Sequence, residues 1–326
     1  ITAMVVAVGL HLSGVLSAKE AFAGFVDPNV LLFMGMFVIG EAFFATGVAV
    51  GVGNVVHKFA KTETSLLVAV MMITGTLSGF LSNTGTAAVL IPVIIGICKK
   101  SGFKQTKLLM PLVFAAAMGG NISLIGAPGN MIAQAGLQQA GLGSFGFFDY
   151  GLVGLPILIV GTIFYATIGK RFLPDAPSHQ PDGAFEGNED YSHVPSWKKW
   201  TSALVLILTV GAMIFEKQLG VKLYVSAWVG ALVLVATNVI SETAAVKSID
   251  MKTIMLFAGS MALGDAMVKT GTGSVIADII VNSLGASPSP IVVLVVIFVL
   301  GVFMTNFMSN TATCALLVPI GLSLAS

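Results

Sequence analysis

The sequence predicts an all-α membrane protein that crosses the bilayer many times, and three observations carry that prediction. The chain is 56% hydrophobic and only 10% charged, with a mean hydropathy of +0.96, whereas a soluble domain carries roughly a quarter charged residues. Apolar runs recur from end to end, many of them near the roughly 17 to 25 residues that span a bilayer. Breaks containing Gly, Asn and Thr interrupt several of the runs, and one stretch between them, 173–198, is polar and rich in Pro, Gly and acids.

In order, the apolar runs cover residues 1–16, 30–46, 64–80, 86–98, 108–118, 150–168, 201–215, 225–240, 253–268, 290–305 and 311–325. The first begins without a basic leader or cleavage site, so it reads as part of a spanning helix and not as a signal peptide. The runs 86–98, 108–118 and 311–325 are short and abut a Gly/Asn/Thr break, which is the pattern of broken membrane helices. Residues 173–198 are rich in Pro, Gly and acids and read as a linker between two membrane halves, 1–172 and 199–326. A net charge of +1 excludes the electrostatic footprint of a nucleic-acid-binding protein. Cys98 and Cys314 lie in separate apolar runs and read as small apolar fillers, with no disulfide framework or metal cluster implied.

The two halves repeat one another. Residues 26–47 can be laid on 249–271 with a one-residue slip, which pairs Asp27 with Asp250, Gly40 with Gly264, Glu41 with Asp265 and Thr46-Gly47 with Thr270-Gly271. Further on, Ser82-Asn83-Thr84, Thr86, Ala88, Leu90 and Pro92 all find identical partners in the segment of Ser309-Asn310-Thr311 at one constant offset. Chance matching of apolar residues would not keep polar residues and proline in register.

Charge gives the orientation. Lys58 and Lys61 precede the first Ser-Asn-Thr unit, and Lys99, Lys100, Lys104 and Lys107 follow it. Positive charge marks the cytoplasmic side, so both ends of this unit are expected there and the unit is read as a re-entrant hairpin. Beyond Lys269 there is no Lys or Arg, which puts both ends of the second unit on the opposite side. The expectation is two inverted-topology repeats, each with a re-entrant hairpin and a broken helix, the arrangement of many secondary transporters. On this count about one spanning helix is expected before Ile1, and the end of the second repeat after Ser326.

A hairpin tip at membrane depth leaves backbone groups without helical partners, which is tolerated only inside protein or against a wet cavity. The returning helix offers its N-terminal end to an anion, while helix C-termini and freed carbonyls favour a cation. One Ser-Asn-Thr cluster alone would more often be structural; two in register at predicted breaks point to a site. Residues 119–130, dense in Gly, Pro and Asn, are read as an unwound spanning helix whose carbonyls complete a cation site. A surface loop there would leave the flanking runs too short to span.

The paired Ser-Asn-Thr turns, followed by the Gly- and Pro-containing break at Gly126–Asn130, resemble the divalent anion/sodium symporter (DASS) family of the ion-transporter superfamily. Residues 19–43 also look like that family's first-half scaffold. The resemblance implies a homodimer in which each transport domain moves as an elevator. It implies small divalent anions such as C4-dicarboxylates, held between the two turns and driven by Na⁺. Carried over by motif position, substrate contacts fall at Ser82, Asn83, Thr84, Ala127, Pro128, Ser309, Asn310 and Thr311. The first sodium site falls at Ser78, Ser82, Asn83 and Gly126; the second falls at Thr305, Met308 through its carbonyl, and Asn310. The family pattern Gly-Thr-Pro-Pro-Asn reads Gly126-Ala127-Pro128-Gly129-Asn130 here, and the lost Thr hydroxyl at Ala127 puts the substrate's identity in question. The expected location is a bacterial inner membrane with linker 173–198 in the cytoplasm.

The alternatives are a Na⁺-independent anion exchanger on the same scaffold, or a cation/proton antiporter in which Asp265 carries transport. Glu41 and Asp265 read mainly as structural acids near the membrane interface, and an ion-relay role is open. An enzyme would need a nucleophile–base pair or a metal-ligand cluster at depth, and the sequence offers neither.

Overall fold

The computed structural model of the chain describes residues 1–51, 62–101, 103–173, 191–272, 275 and 289–325, and these are all-helical, with no strand among them. Most of linker 173–198 lies outside the described residues, as do Lys58 and Lys61. The α-helices are α1 Thr2–Leu12, α2 Ala18–Ala21, α3 Pro28–Ala45, α4 Glu63–Ser78, α5 Asn83–Ser101, α6 Thr106–Gly119, α7 Pro128–Gln139 and α8 Gly151–Thr167. They continue with α9 Ser196–Ile214, α10 Glu216–Leu219, α11 Leu223–Ala236, α12 Glu242–Ser248, α13 Met251–Thr270, α14 Pro290–Met304 and α15 Asn310–Ala325. Each of the eleven predicted apolar runs falls on one of these helices. Helices α3, α9 and α13 are long and apolar enough to cross a membrane; at 1.5 Å per residue, 18 residues reach about 27 Å, close to the hydrocarbon thickness.

The chain forms two compact units, one of residues 1–34, 128–144 and 250–326, the other of 35–127 and 145–249. Each therefore draws helices from both halves of the sequence.

In the first unit α13 is central. It packs on α1, α2, α7, α15 and the 3₁₀ turn Ala23–Val26. Small residues allow the approach: a Cβ at Gly24 would stand 2.7 Å from the Ala258 main chain, and one at Gly259 would stand 2.6 Å from Ala3 O. Ala7, Leu16, Ala21, Ala262 and Ala266 form the core there. Small-residue interfaces of this kind suit helices in lipid, where close packing replaces the hydrophobic drive between them. Helix α7 lies on α15, with Gly129 against Cys314 and Gly136 against Val318. Helix α14 carries no polar side chain and no buried residue; Ile291, Leu294 and Phe298 are about 70% exposed (71%, 66% and 69%).

The second unit is built on α4. It packs on α6, α8 and α5 around Leu66, Leu67, Met71, Leu90, Ile94, Leu108, Leu112 and Leu158. Helices α4 and α6 meet so closely at Gly75 and Gly119 that a side chain at 119 would run into the Gly75 backbone. Helix α9 packs on α11, with Gly230 beneath Thr209.

Candidate ion and substrate site

The first Ser-Asn-Thr turn begins where α4 stops. Ser78 is its last residue, and Gly79 caps it with helical backbone angles. The chain turns through Phe80 and Leu81, and α5 opens at Asn83. Ser82 caps the new helix: its Oγ accepts from Gly85 N–H at 3.1 Å and its carbonyl accepts from Thr86 N–H at 2.9 Å. The turn is therefore a cap plus a first helical turn, which satisfies donors that a helix N-terminus leaves orphaned.

The second turn repeats this hydrogen bonding at corresponding residues. Helix α14 ends at Met304 with Thr305 as its cap. Ser309 Oγ accepts from Ala312 N–H at 3.2 Å, and Ser309 O accepts from Thr313 N–H at 2.9 Å. Ser78 Oγ contacts the Asn83 carboxamide at 2.7 Å, and at the corresponding place the Thr305 hydroxyl contacts the Asn310 carboxamide. Thr86 Oγ1 and Thr313 Oγ1, also corresponding, are both buried without a hydrogen-bond partner. Ser309 and Asn310 are exposed, and Met308 sits in the turn just before them.

Around the first turn, distant segments add a dense set of oxygens. Helix α6 ends at Gly119, and the chain is unwound until Pro128 opens α7, a proline at the helical position that tolerates it. This unwound segment is no surface loop: Ser123, Leu124, Ile125 and Gly126 are buried. Ser123 Oγ donates to Gly79 O and accepts from Ile125 N–H at 3.3 Å. The carboxamide end of Asn83 stands 3.0 Å from Gly126 O and 3.2 Å from Ala116 O. Ser78 is fully buried, and its Oγ lies 2.6 Å from Ala116 O. A Cβ at Gly126 would be 2.6 Å from Gly120 O, 2.9 Å from Gly79 O and 3.0 Å from Ser78 O. A Cβ at Gly120 would press on the Asn83 carboxamide. The close approaches require glycine at both positions.

Chemically, this is a nest of carbonyl, amide and hydroxyl oxygens. Two helix ends, those of α4 and α6, contribute their last carbonyls, which carry the negative pole of each helix. Neutral oxygens of this kind suit a hard cation. A site for a transition metal is not indicated, since no group of three His, Cys, Asp or Glu occurs among the described residues.

Of the residues expected from the sequence, Ser78, Asn83 and Gly126 come together, with Ser82 next to Asn83 and engaged as a cap. Thr84 is exposed in the first turn of α5, and Ala127 and Pro128 mark the end of the unwound segment. Thr305 and Asn310 are hydrogen-bonded to each other. The two turns belong to different compact units. The carbonyls of Ala116 and Gly120 and the hydroxyl of Ser123 complete the first cluster; residues 119–130 drew attention through their Gly and Asn content, whereas Ala116 carries no side-chain signal.

Two acids on the apolar helices α3 and α13 stand apart. Glu41 is half-buried on α3. Asp265 on α13 lines a cavity of about 720 Å³ with Glu20, Lys269, Gln139 and apolar residues of α7 and α15. Lys269 lies one turn beyond Asp265 but pairs with Glu20 at 3.1 Å.

Comparison with known proteins agrees with the fold. The profile of the citrate transporter family matches residues 1–326. The uncharacterized transporter YfbS of Escherichia coli is 34% identical over 56% of this chain, and the match spans 30% of that protein. An uncharacterized transporter of Haemophilus influenzae is 27% identical over the whole chain and 72% of its own length. The sodium-dependent dicarboxylate transporter SdcS of Staphylococcus saprophyticus is 24% identical over 95% of this chain and 66% of its own. The crystal structure of the Alcanivorax borkumensis YdaH transporter superposes with a TM-score of 0.60 at 15% identity, over 98% of this chain and 72% of that one; it speaks to the fold alone. The chain is thus an integral membrane protein of the citrate transporter family, within the ion-transporter superfamily, a family of transporters and not of enzymes.

Proposed function

We propose that this protein is a secondary transporter that couples Na⁺ to the uptake of small divalent anions of the C4-dicarboxylate type. The observation that carries the reading is the oxygen cluster at the first turn, where Ser78, Asn83 and the carbonyls of Ala116 and Gly126 meet without any carboxylate. A monovalent cation is the ligand that neutral oxygens at two helix C-termini serve best. A sodium-dependent dicarboxylate transporter among the relatives supports the same coupling.

On this reading Ser78, Ser82, Asn83 and Gly126 bind one sodium ion, and Thr305, Met308 through its carbonyl, and Asn310 bind another. Ser82, Asn83, Thr84, Ala127, Pro128, Ser309, Asn310 and Thr311 face the anion. The helix N-termini that begin at Asn83 and Asn310 favour negative charge. The two turns serve as inverted hairpins in an elevator mechanism, the protein works as a homodimer, and residues 173–198 face the cytoplasm of a bacterial inner membrane.

The test is uptake of labelled succinate by proteoliposomes holding the full-length protein, with and without a Na⁺ gradient, and with citrate and sulfate as competitors. Asn83→Ala and Asn310→Ala are expected to abolish uptake with little loss of fold. Wild-type rates in either variant would remove these residues from the site. Counterflow undiminished without Na⁺ would replace symport with anion exchange. Uptake abolished by Asp265→Asn but tolerant of Asn83→Ala would point to the antiporter.

A further inference from the structure

We propose that Asn83 is a two-state ligand: it turns its –NH₂ toward the oxygen cluster in the cation-free protein and its Oδ1 toward it when a small monovalent cation enters. This rests on the proposed sodium site at the first turn and adds to it a switch that reports occupancy.

The amide's two ends are nearly the same size, so hydrogen bonding decides which one faces inward. The inward atom has three neighbours: Gly126 O at 3.0 Å, Ala116 O at 3.2 Å and Ser78 Oγ at 2.7 Å. Two of these can only accept. The third has a single proton, and Ala116 O lies 2.6 Å away to receive it. Ser78 then offers Asn83 its lone pairs. Every neighbour of the inward atom is an acceptor.

With –NH₂ inward, the amide donates into this acceptor set and supplies a proton toward Gly126 O, while Ala116 O also accepts from Gly120 N–H and the Ser78 hydroxyl. With Oδ1 inward, four oxygens converge with no proton between Asn83 and the two carbonyls. That arrangement needs a positive charge among the oxygens. A cation and the amide hydrogens therefore compete for the same lone pairs, and binding the first means turning out the second. Glycine at 120 is part of the device, because a Cβ there would press on the Oδ1, Nδ2 and Cγ atoms of Asn83. Asn83 is also the first residue of α5. Ion entry is thereby felt at the helix terminus that the proposed function assigns to the anion, which links the two ligands through one side chain.

Asn83→Asp separates the two states, since a carboxylate cannot donate. It leaves an uncompensated acceptor among acceptors until a cation arrives. The experiment measures the thermal midpoint of the purified full chain in NaCl and in choline chloride at equal ionic strength. The wild type is expected to gain stability specifically in Na⁺. Asn83→Asp is expected to fall well below the wild type in choline and to show a Na⁺-specific gain larger by roughly twofold or more. A wild type without any Na⁺-specific gain overturns the sodium site itself. A wild-type gain with an equal or smaller gain in Asn83→Asp keeps the sodium site and overturns the switch. If Asn83→Asp does not fold, the wild type labelled with [¹⁵N]asparagine decides, its Asn83 side-chain signal assigned by loss in Asn83→Ser. A shift of that –NH₂ pair in Na⁺ but not in N-methylglucamine supports the switch, and an unmoved pair overturns it.

Discussion

Replacing Gly126 by alanine adds one methyl group at the centre of the oxygen cluster. The new Cβ would stand 2.6 Å from Gly120 O, 2.9 Å from Gly79 O and 3.0 Å from Ser78 O. All three are main-chain atoms, so no flexible side chain can swing aside. To restore ordinary contact the nearest must retreat by roughly 0.8 Å, from 2.6 to 3.4 Å. Gly79 is held by the Ser123 hydroxyl, and Ser78 and Gly120 end or follow packed helices. Overpacking of this kind costs about 1–3 kcal/mol, and weakening one buried hydrogen bond adds about 1 kcal/mol. Gly211→Ala in α9 is the control, because nothing lies within 4 Å of a Cβ there, and the change should stabilise by about 0.4–1 kcal/mol. Thermal unfolding of the purified full chain should therefore move in opposite directions for the two variants. The proposed sodium site adds that Gly126→Ala raises the Na⁺ concentration for half-maximal uptake by roughly tenfold, which corresponds to about 1.4 kcal/mol. Wild-type stability together with wild-type Na⁺ dependence in Gly126→Ala would refute the packing argument.

Other consequences are equally direct. Ser123→Ala leaves the Gly79 carbonyl without its buried donor and should cost about 1–3 kcal/mol, whereas Thr74→Val, at a buried hydroxyl with no partner, should be neutral or stabilising in the same melt. A cysteine at Gly129 would place its Cβ 3.6 Å from Cys314 Cβ, within the range for a disulfide; mild oxidation of Gly129→Cys should cross-link α7 to α15, read by peptide mass. Glu20 is held at a pKa of about 2, first by the Ser17 N–H it accepts, then by the Ser17 hydroxyl and by Lys269. Its folded pKa lies below the ordinary 4.5, so its contribution is complete above that value and is lost as the pH falls through about 2. The difference in thermal midpoint between wild type and Glu20→Gln should accordingly shrink from pH 5 toward pH 2.

The sequence was most legible where hydrophobicity alone decides. Each apolar run became a helix, because in lipid a spanning segment has no other way to pair its backbone. The break at 119–130 was visible in its Gly, Asn and Pro. Helix α7 was not visible as a separate element: Pro128–Gln139 holds three glutamines and an asparagine, too polar to register as a run. The apolar run of α5 begins only at Thr86, but the returning helix was expected to open at Thr84-Gly85, one residue after its start at Asn83. At the site, Ser78, Asn83 and Gly126 came from their motif positions. The Ala116 carbonyl could not, since every residue has a carbonyl and only the packing of α6 brings this one within 3.2 Å of Asn83.

That contrast separates what makes each turn from what makes the ion cluster. The cap at Ser82 and Gly85, the contact from Ser78 to Asn83, and the buried Thr86 have counterparts at Ser309 and Ala312, Thr305 and Asn310, and Thr313. All of these lie within eight residues of one another, so the short motif dictates them locally, and it does so twice. The cluster at the first turn needs Ala116, Gly120, Ser123 and Gly126 as well, which arrive only because α4 and α6 meet at Gly75 and Gly119. The shares of the motif and of the packing in ion affinity can therefore be compared by mutation. Ser82→Ala removes a helix cap, about 1 kcal/mol of stability, and one proposed sodium ligand while leaving the distant carbonyls in place, so it should weaken the Na⁺-specific stabilisation without abolishing it. Gly119→Ala drives α4 and α6 apart at their backbone contact, so it should disperse the cluster and abolish the Na⁺-specific stabilisation with Ser82, Asn83 and Thr84 intact. Equal loss of that stabilisation in both variants would mean that the motif alone holds the ion.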